Sequence, residues 1–430
     1  MRVLLLAAIF LFGACEGVRA FCGFYVAQSG DKLTNRASKV VLAHAGDRTA
    51  ITMSSDVSGN PRDFALVIPV PTTIKRDQVR LVQSQTVDHL DSFSVPRLVE
   101  YFDPDPCPPP FIQRRYADAV PAPRAAAPSG AARGADALGV RVEASYSVGE
   151  YDILVLSAQN SGGLLQWLNG NGYRIPAGAE PTIRSYLAQR MQFFVAKVNL
   201  ERQERSGNPF LRPIQVEYRS PKFMLPIRLG TVNAEGPQEM VVLALTERGR
   251  VETTNYRTVR MPTGTELPLF VKDDFAGFYK AAFDRQVQDA DRQAVFLEYA
   301  WDMGSCDPCS AEPLNRDELR ELGAAWTGDN GQRSRFGGSG AFVTRLHLRY
   351  DREHFPEDLA LQETSDRDTF QARYVLRQPW RGAAACDAGQ RYQASLPLRA
   401  ARQAVNVVEM TDWSYADVRR RMEASGQQLP

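Results

Sequence analysis

The sequence predicts an α+β fold of mostly antiparallel β-sheets, with several amphipathic helices and one disordered insert rich in proline and alanine. Three observations predict this class. Segments with alternating or continuous apolar residues, typical of strands, outnumber segments with helical spacing. Strands and helices do not alternate regularly, as a doubly wound parallel fold requires. Apolar residues make up 44% of the chain and charged residues 23%, a balance typical of folded globular proteins.

Residues 1–20 have the layout of an export signal peptide. A positively charged start precedes an apolar run over 3–14, and Val18-Arg19-Ala20 has the small-x-small pattern after which signal peptidase cuts. The four residues that end at Cys15 also resemble a lipobox, although their first residue, Phe, fits poorly where that box usually carries Leu. We therefore expect export to the periplasm, the extracellular space or the envelope, with a lipoprotein anchored through Cys15 as the alternative.

The segment 21–103 is predicted to be a β-rich N-terminal part. Apolar runs flank Ala45-Gly46-Asp47, which predicts a hairpin. The unbroken apolar run over 63–71 predicts a strand buried on both faces and ended by prolines. Helical spacing then predicts a short helix that begins at Ser94. Its apolar residues are Val95, Leu98, Val99 and Phe102.

Three segments complete the predicted organisation. Residues 104–139 hold too few large apolar side chains to offset the entropy cost of ordering, so we expect a flexible insert. A main α+β domain is expected over 140–398, and a helical tail over 399–430. Within the main domain, apolar patterns predict strands at 140–146, 151–156, 193–199, 214–218, 223–229, 240–246, 250–254, 342–350 and 370–377, with a hairpin turn at 247–249. Helical spacing and capping residues predict helices at 164–168, after Pro181, over 275–287, at 315–323 and at 413–422.

Charge and motifs exclude several classes of function. Lys and Arg number 51 against 50 Asp and Glu, which argues against a nucleic-acid-binding protein driven by net charge. No phosphate-binding loop, dinucleotide fingerprint or protease signature occurs, and the glycine-rich segment 337–340 lacks the nucleophile-elbow pattern. No stretch after the signal approaches about 18 apolar residues, so we expect no transmembrane helix in the mature chain. We also expect no cofactor.

Five cysteines follow the predicted signal, so at least one stays free or bonds another molecule. Because exported thiols tend to oxidise, all five are disulfide candidates. We favour a Cys22–Cys107 bond, which ties the N-terminus to the end of the first predicted helix. We expect Cys386 to bond to Cys306 or Cys309.

The segment Cys306-Asp307-Pro308-Cys309 has the spacing of thiol–disulfide enzymes. Those enzymes place the attacking cysteine at a helix N-terminus, where the dipole lowers its pKa. Here the next predicted helix begins only at Asn315, so a structural disulfide is favoured and a redox pair, Cys306 with Cys309, is the alternative. A zinc site needs four ligands, and only distant side chains complement this pair, so we expect no metal site.

A charged face is predicted on the strand at 342–350. Alternation places Arg345, His347 and Arg349 on one side of it, and Arg373 and Arg377 on one side of the strand at 370–377. If the two strands pair, the five side chains form a candidate site for an anionic glycan or lipid headgroup. An ordinary charged outer face is the favoured interpretation.

The densest group of ligand-type side chains follows that strand. It contains Asp351, Glu353, His354, Glu357 and Asp358. Four carboxylates suit weak calcium binding, but their spacing matches no EF-hand loop and no HExxH helix. A solvated turn is therefore favoured.

Six short segments carry a resemblance to a known protein family. They are Phe21-Cys22-Gly23-Phe24-Tyr25-Val26, Asp63-Phe64-Ala65-Leu66-Val67-Ile68-Pro69-Val70-Pro71, Pro96-Arg97-Leu98-Val99-Glu100-Tyr101, Phe223-Met224-Leu225-Pro226-Ile227-Arg228-Leu229-Gly230, Glu298-Tyr299-Ala300-Trp301-Asp302-Met303 through the CxxC segment, and His354-Phe355-Pro356-Glu357-Asp358-Leu359. From residue 21 to about residue 380 the chain resembles a bacterial family of exported proteins with a conserved domain of unknown function. The resemblance implies a signal-bearing envelope protein that begins at Phe21, and it assigns no catalytic residue.

These observations favour an exported bacterial cell-envelope protein, non-catalytic and stabilised by disulfides, that binds a partner or has a structural role. The expected partner is an envelope component or another exported protein, and no nucleic acid. The alternative is an exported thiol–disulfide oxidoreductase that uses Cys306 and Cys309. A hydrolase whose residues converge only in three dimensions also fits the sequence.

Overall fold

The computed structural model describes residues 24–27, 34–58, 64–107, 140–171, 173, 178–205, 207, 211–232, 234, 236–305, 311–327, 340–383 and 385–430. The expected signal peptide, Cys22, the CxxC segment and most of the expected insert lie outside these residues.

The described residues form twenty strands. They are β1 Phe24–Ala27, β2 Thr34–Ala45, β3 Arg48–Ser58, β4 Phe64–Val70, β5 Val79–Leu81, β6 Arg97–Phe102, β7 Val140–Val148, β8 Tyr151–Ala158, β9 Gln192–Val198, β10 Ile214–Arg219, β11 Met224–Leu225, β12 Gln238–Thr246, β13 Val251–Thr253, β14 Arg257–Arg260, β15 Glu266–Leu267, β16 Ala294–Asp302, β17 Phe342–Tyr350, β18 Leu359–Glu363, β19 Phe370–Gln371 and β20 Arg373–Gln378.

The same residues form eight α-helices. They are α1 Ser84–Ser94, α2 Ser161–Gly170, α3 Ala179–Ala188, α4 Leu200–Arg205, α5 Phe275–Asp289, α6 Arg316–Glu321, α7 Asp387–Met410 and α8 Tyr415–Ala424. In the described part of the chain, no helix is both long and apolar enough to cross a membrane.

Two large sheets form the centre of the molecule. One has nine strands, with the order β14-β16-β17-β12-β2-β3-β10-β5 and β19 paired to β16. The other has five strands, β1-β4-β9-β8-β7, all antiparallel. Most strand pairs are antiparallel, and the exceptions are β2 with β12, β14 with β16, and β20 with both β6 and β15. The predicted α+β class with mostly antiparallel sheets is confirmed.

The largest apolar cluster lies between the two sheets. Leu42 and Val242 of the nine-stranded sheet share it with Ile68 and Phe194 of the five-stranded sheet, and all four are buried. Because side chains alternate along a strand, each sheet also has an opposite apolar face to cover. Helices α2 and α3 cover that of the five-stranded sheet, and α1, α5 and α6 cover that of the nine-stranded sheet. The molecule therefore has four layers: helices, sheet, sheet and helices.

Two small sheets extend this body. In the first, β18 lies between β11 and β13; in the second, β20 lies between β15 and β6. The second sheet packs with α5, α7 and α8 around its own apolar cluster. The nine-stranded sheet takes β2 and β3 from the segment 21–103 and β10, β12 and β17 from the segment 140–398, so it joins the two segments.

The structure corrects two local predictions. Ser94 is the last residue of α1, and the residues that follow it form β6 where a helix was expected. Pro96 disfavours helical backbone at Val95, and the β-branched and aromatic residues that follow pair with β20. The expected hairpin at 247–249 is also wrong, because β13 pairs with β18 and β12 pairs with β17 and β2. The hairpin at 45–47 is confirmed, with Gly46 at φ +63° in its turn.

Candidate functional site: a cleft beside a closed ion-pair cluster

A cleft of about 610 Å³ lies where two segments distant in sequence meet. One wall comes from residues 221–228, which include β11, and the other from residues 357–361, which include the start of β18. Antiparallel pairing of Met224 with Ala360 joins the two walls. The C-terminal part of α3 contributes Ser185 and Gln189 to the lining, and Asn255 completes it. This volume is typical of small-molecule binding sites.

The buried carboxylate of Asp358 locks the two walls together. Its Oδ1 accepts hydrogen bonds from Tyr186 Oη at 2.7 Å, Ile227 N at 2.8 Å and Arg228 N at 3.1 Å. Its Oδ2 accepts one from Arg228 Nε at 3.2 Å. Burial and the neighbouring Asp358 raise the pKa of Tyr186 well above its usual value, so this hydroxyl stays a donor. These four hydrogen bonds hold the two walls together at the base of the cleft.

Arg228 is fixed on the floor of the cleft by three contacts. Besides Asp358, its Nη2 donates to Ser185 Oγ at 2.6 Å, and its guanidinium lies 4.8 Å from the ring centroid of Tyr186. A guanidinium has no acceptor and keeps its protons, so it does not activate the Ser185 hydroxyl as a nucleophile. This serine has the role of a positioning contact for Arg228.

The rim of the cleft carries one exposed charge of each sign. Lys222 lies on the first wall and Glu357 on the second, and both side chains are exposed. Glu357 Oε2 accepts a hydrogen bond from Asn255 Nδ2 at 3.2 Å. Among the residues that the structure describes, no oppositely charged side chain forms an ion pair with either. The rim thus offers a cation and an anion to a ligand.

Asn255 separates this cleft from a second cavity of about 450 Å³, because it lines both. Its side-chain amide donates to Asp358 O at 2.8 Å and accepts from Ala360 N at 3.0 Å. It therefore pairs with the start of β18 as a neighbouring strand would. The second cavity is lined by Asn255, Tyr256, Arg257, Ala290, Asp291, Gln293, Glu353, His354 and Pro356.

The predicted cluster at 351–358 is divided between the two cavities. Asp351 accepts hydrogen bonds from His354 Nδ1 at 2.8 Å and from the amides of Glu353 and His354, both at 2.9 Å. Burial opposes ionisation of Asp351, but the hydrogen bonds from His354 hold its pKa below the usual value. Asp358 points away into the cleft floor. Within the described ranges, no group of three or more His, Cys, Asp or Glu side chains is arranged to hold a metal ion.

Arg345, His347 and Arg349 lie on one face of β17, and ion pairs with other elements close that face. Arg345 Nε lies 2.5 Å from Glu298 Oε2, and His347 Nδ1 lies 2.7 Å from Glu298 Oε1. Arg345 also pairs with Asp91 of α1. Arg349 pairs with Glu239 of β12 and, at 2.6 Å, with Asp284 of α5. We call these seven residues the ion-pair cluster.

Glu298 is the centre of the ion-pair cluster, with 1% of its surface exposed. It is the extra residue of a β-bulge, because the register of β16 against β17 shifts between Leu297 and Tyr299. Burial opposes its ionisation, but His347 and Arg345 hold the pKa of Glu298 at about 2. Burial likewise favours neutral His347, yet Glu298 and Glu239 raise the pKa of His347 to about 9. Both groups are therefore charged at neutral pH.

Arg373 and Arg377 do not join this face, because their strand does not meet the condition of pairing with β17. β20 pairs with β6 and β15 in the small parallel sheet. Arg377 Nε donates to Glu266 at 2.7 Å, and its guanidinium lies 5.7 Å from the ring centroid of Tyr101. Arg373, the first residue of β20, is partly buried, and its backbone amide donates to Thr263 Oγ1 at 3.1 Å. The five side chains proposed as one anion-binding face are thus divided between two sheets.

Among the described residues the structure shows one disulfide, Cys107–Cys386, which corrects both favoured pairings. Cys107 does not bond to Cys22, and Cys386 does not bond to the CxxC pair. The favoured pairings joined cysteines on the basis of their positions in the sequence. Cys107 and Cys386 are separated by 279 positions, and the parallel pairing of β6 with β20 brings them close. Cys22, Cys306 and Cys309 lie outside the described residues.

A family model described as an uncharacterized protein conserved in bacteria, DUF2330, matches residues 17–362. No curated protein and no solved structure matches the chain. The expected resemblance to a bacterial family of unknown function is confirmed. Both walls of the cleft lie within the matched range.

Proposed function

On the premise that the chain belongs to the bacterial family DUF2330, we propose that it is an exported, non-catalytic binding protein of the cell envelope. Its ligand site is the cleft between residues 221–228 and 357–361. One observation carries this proposal: a cleft of ligand size has an exposed charge of opposite sign on each of its two walls, and neither charge has an ionic partner among the described residues.

The lining favours a short peptide with free termini. Phe223, Met224 and Leu361 offer apolar surface, while Gln189 offers an amide group that matches a peptide bond. At the rim, the ammonium of Lys222 complements a terminal carboxylate, and the carboxylate of Glu357 complements a terminal ammonium. A zwitterionic ligand of this kind satisfies both charges at once.

Two features support a binding role over a catalytic one. Ser185, the hydroxyl in the cleft, faces the Arg228 guanidinium, which is not a base. His347 and Glu298, whose pKa values are strongly shifted, lie in the ion-pair cluster and not in the cleft. Strongly shifted groups support catalysis only where substrate reaches them.

Export is supported by the signal-like residues 1–20 and by the Cys107–Cys386 disulfide, a bond typical of oxidising compartments. Intact-mass analysis of protein from its native host tests this. A mass that begins at Phe21 is expected, and a lipid adduct on Cys15 would instead place the protein on a membrane. A mass that retains residues 1–20 contradicts export.

Binding is tested by thermal unfolding in the presence of a library of tripeptides with free termini. Ligands that bind the folded state raise its midpoint, so the free library is expected to raise it and a library with acetylated and amidated termini is not. Lys222→Ala and Glu357→Ala should each abolish the shift. The matched controls Lys75→Ala and Glu409→Ala remove exposed charges elsewhere and should retain it. Equal shifts with both libraries, or no shift with either, contradict the proposal.

A further inference from the structure

The first part of α7 is held on the body of the protein by few contacts. Between Asp387 and Pro397, Gly389 is the one buried residue, whereas the second part buries Ala400, Gln403, Ala404, Val407 and Met410. Pro397 lies inside the helix and has no amide proton, so it removes the hydrogen bond to the carbonyl of Gln393. Residues 387–396 therefore form an exposed arm joined to a packed helix at a weakened position.

Two attachments fix this arm beside the end of β6. One is the Cys107–Cys386 disulfide. The other is Tyr392, whose hydroxyl donates to Asp103 Oδ2 at 2.6 Å and accepts from Trp380 N at 2.8 Å. Asp103 also pairs with Arg399 of the packed part of α7, at 2.6 Å, and keeps that partner when Tyr392 leaves. The disulfide is thus the covalent part of a small clamp.

The sulfur of Cys386 lies where a thiolate is stabilised. Cys386 is the N-cap of a helix of 24 residues, and its Sγ accepts a hydrogen bond from Gly389 N at 3.3 Å. Amide donors and the helix dipole at this end favour negative charge and lower the pKa of a thiol. Both cysteines are partly exposed, so a reductant reaches the bond.

We propose that Cys107–Cys386 is a reducible clamp that undergoes thiol–disulfide exchange with an external dithiol, and that its reduction frees residues 387–396. A dithiol thiolate attacks Cys107 Sγ, the S–S bond breaks, and Cys386 leaves as the stabilised thiolate. The second dithiol sulfur then displaces Cys107. Two electrons pass to the protein, one proton goes to Cys107 and one to solvent, and the dithiol becomes a disulfide. The cleft and the ion-pair cluster stay folded.

Hydrogen–deuterium exchange of the full chain, oxidised and treated with dithiothreitol, tests this. Reduction should accelerate amide exchange at residues 389–396 at least tenfold and leave residues 400–410 unchanged. Cys386→Ser distinguishes the effect of the disulfide from the effect of the N-cap of α7, because Ser remains a good N-cap while the disulfide is lost. This variant and Cys107→Ser should both show the faster exchange without reductant.

Alkylation gives a second measurement. In reduced protein at pH 6.5, iodoacetamide should modify Cys386 several-fold faster than Cys107, since the thiolate is the reactive form. Unchanged exchange in the arm after reduction overturns the clamp. Loss of amide protection across residues 400–410 and the sheets overturns it too, because the disulfide then stabilises the whole fold and not the arm alone. Equal alkylation rates overturn the assigned direction of attack.

Discussion

Among the described residues, the ion-pair cluster and the rim of the cleft both contain charged side chains, but only those of the cluster pair with one another. In the cluster, Glu298 contacts Arg345, His347 and Tyr279, and all of these are buried or nearly so. At the rim, Lys222 and Glu357 are exposed and lack ionic partners among the described residues. A buried charge is tolerated only when its partners satisfy it, whereas an exposed charge costs little and stays available. We therefore assign ligand binding to the charged side chains that lack ionic partners among the described residues, and not to the region where charged side chains are most numerous.

The largest effect is expected from removal of the central charge of the cluster. Glu298→Gln leaves Arg345 and His347 buried with one counter-charge fewer, which should lower the free energy of unfolding by about 3–5 kcal/mol. Urea unfolding measures this. The matched control is Glu423→Gln, which removes an exposed ion pair with Arg419 on α8 and should cost less than about 1 kcal/mol. Equal effects for the two variants would remove the distinction between the regions.

The next effect is a loss of stability at alkaline pH that depends on His347. Its pKa is raised to about 9 from the usual 6.5 of a histidine, so its contribution to stability is fully present below pH 6.5 and is lost as pH rises through 9. At 1.36 kcal/mol per pKa unit this amounts to roughly 3 kcal/mol.

Unfolding of wild type and of His347→Gln should be compared between pH 6 and pH 9.5. The groups that face His347 are Glu298, Glu239 and the ring of Phe283, which stacks on it at 3.8 Å. The difference in stability between the two proteins should shrink as pH rises. A difference that is independent of pH would show that His347 is not charged in the folded protein.

A smaller effect is expected at the base of the cleft. Asp358→Asn removes the charge that accepts four hydrogen bonds, and one amide hydrogen then points at a donor. A hydrogen bond to a charged group contributes about 1.5–3 kcal/mol, and the free energy of unfolding should fall by about that amount. Tripeptide binding should weaken too, because the two walls are no longer locked. Chemical unfolding and the thermal-shift assay give the two results, and a fully stable variant would contradict the role of Asp358.

The smallest effect on stability is expected at the rim. Lys222→Ala and Glu357→Ala should change the free energy of unfolding by less than about 0.5 kcal/mol, as for substitutions of exposed residues that form no ion pair among the described residues. Each substitution should raise the dissociation constant for tripeptides at least tenfold. Chemical unfolding and isothermal titration of the same preparations separate the two quantities. A substantial loss of stability in either variant would mean that the rim charges have a structural role.

Sequence patterns predict the backbone elements better than the partners of charged side chains. Alternation along β17 places Arg345, His347 and Arg349 on one face, because a strand repeats every two residues. The carboxylates that close that face come from α1, β12, α5 and a bulge in β16, and no local pattern fixes those positions. The bulge at Glu298 matters most, since it changes the side to which the residue points.

The cleft is missed for a similar reason. Its walls lie more than a hundred residues apart in the sequence, and the pairing of β11 with β18 and the hydrogen bonds of Asp358 bring them together. The sequence does contain an indication of the two walls, because Phe223–Gly230 and His354–Leu359 are both among the segments that carry the family resemblance. The helix expected from Ser94 fails because apolar residues three and four apart also fit a short strand with one exposed end.

The most direct test of the central claim is the thermal midpoint of Lys222→Glu with and without the library of free tripeptides. This substitution makes both rim charges negative and removes no ion pair of the described residues. The account predicts a midpoint equal to that of wild type without peptide, and no rise with peptide. A rise equal to that of wild type, or a variant as unstable as Glu298→Gln, would contradict the assignment of the rim charges to ligand binding.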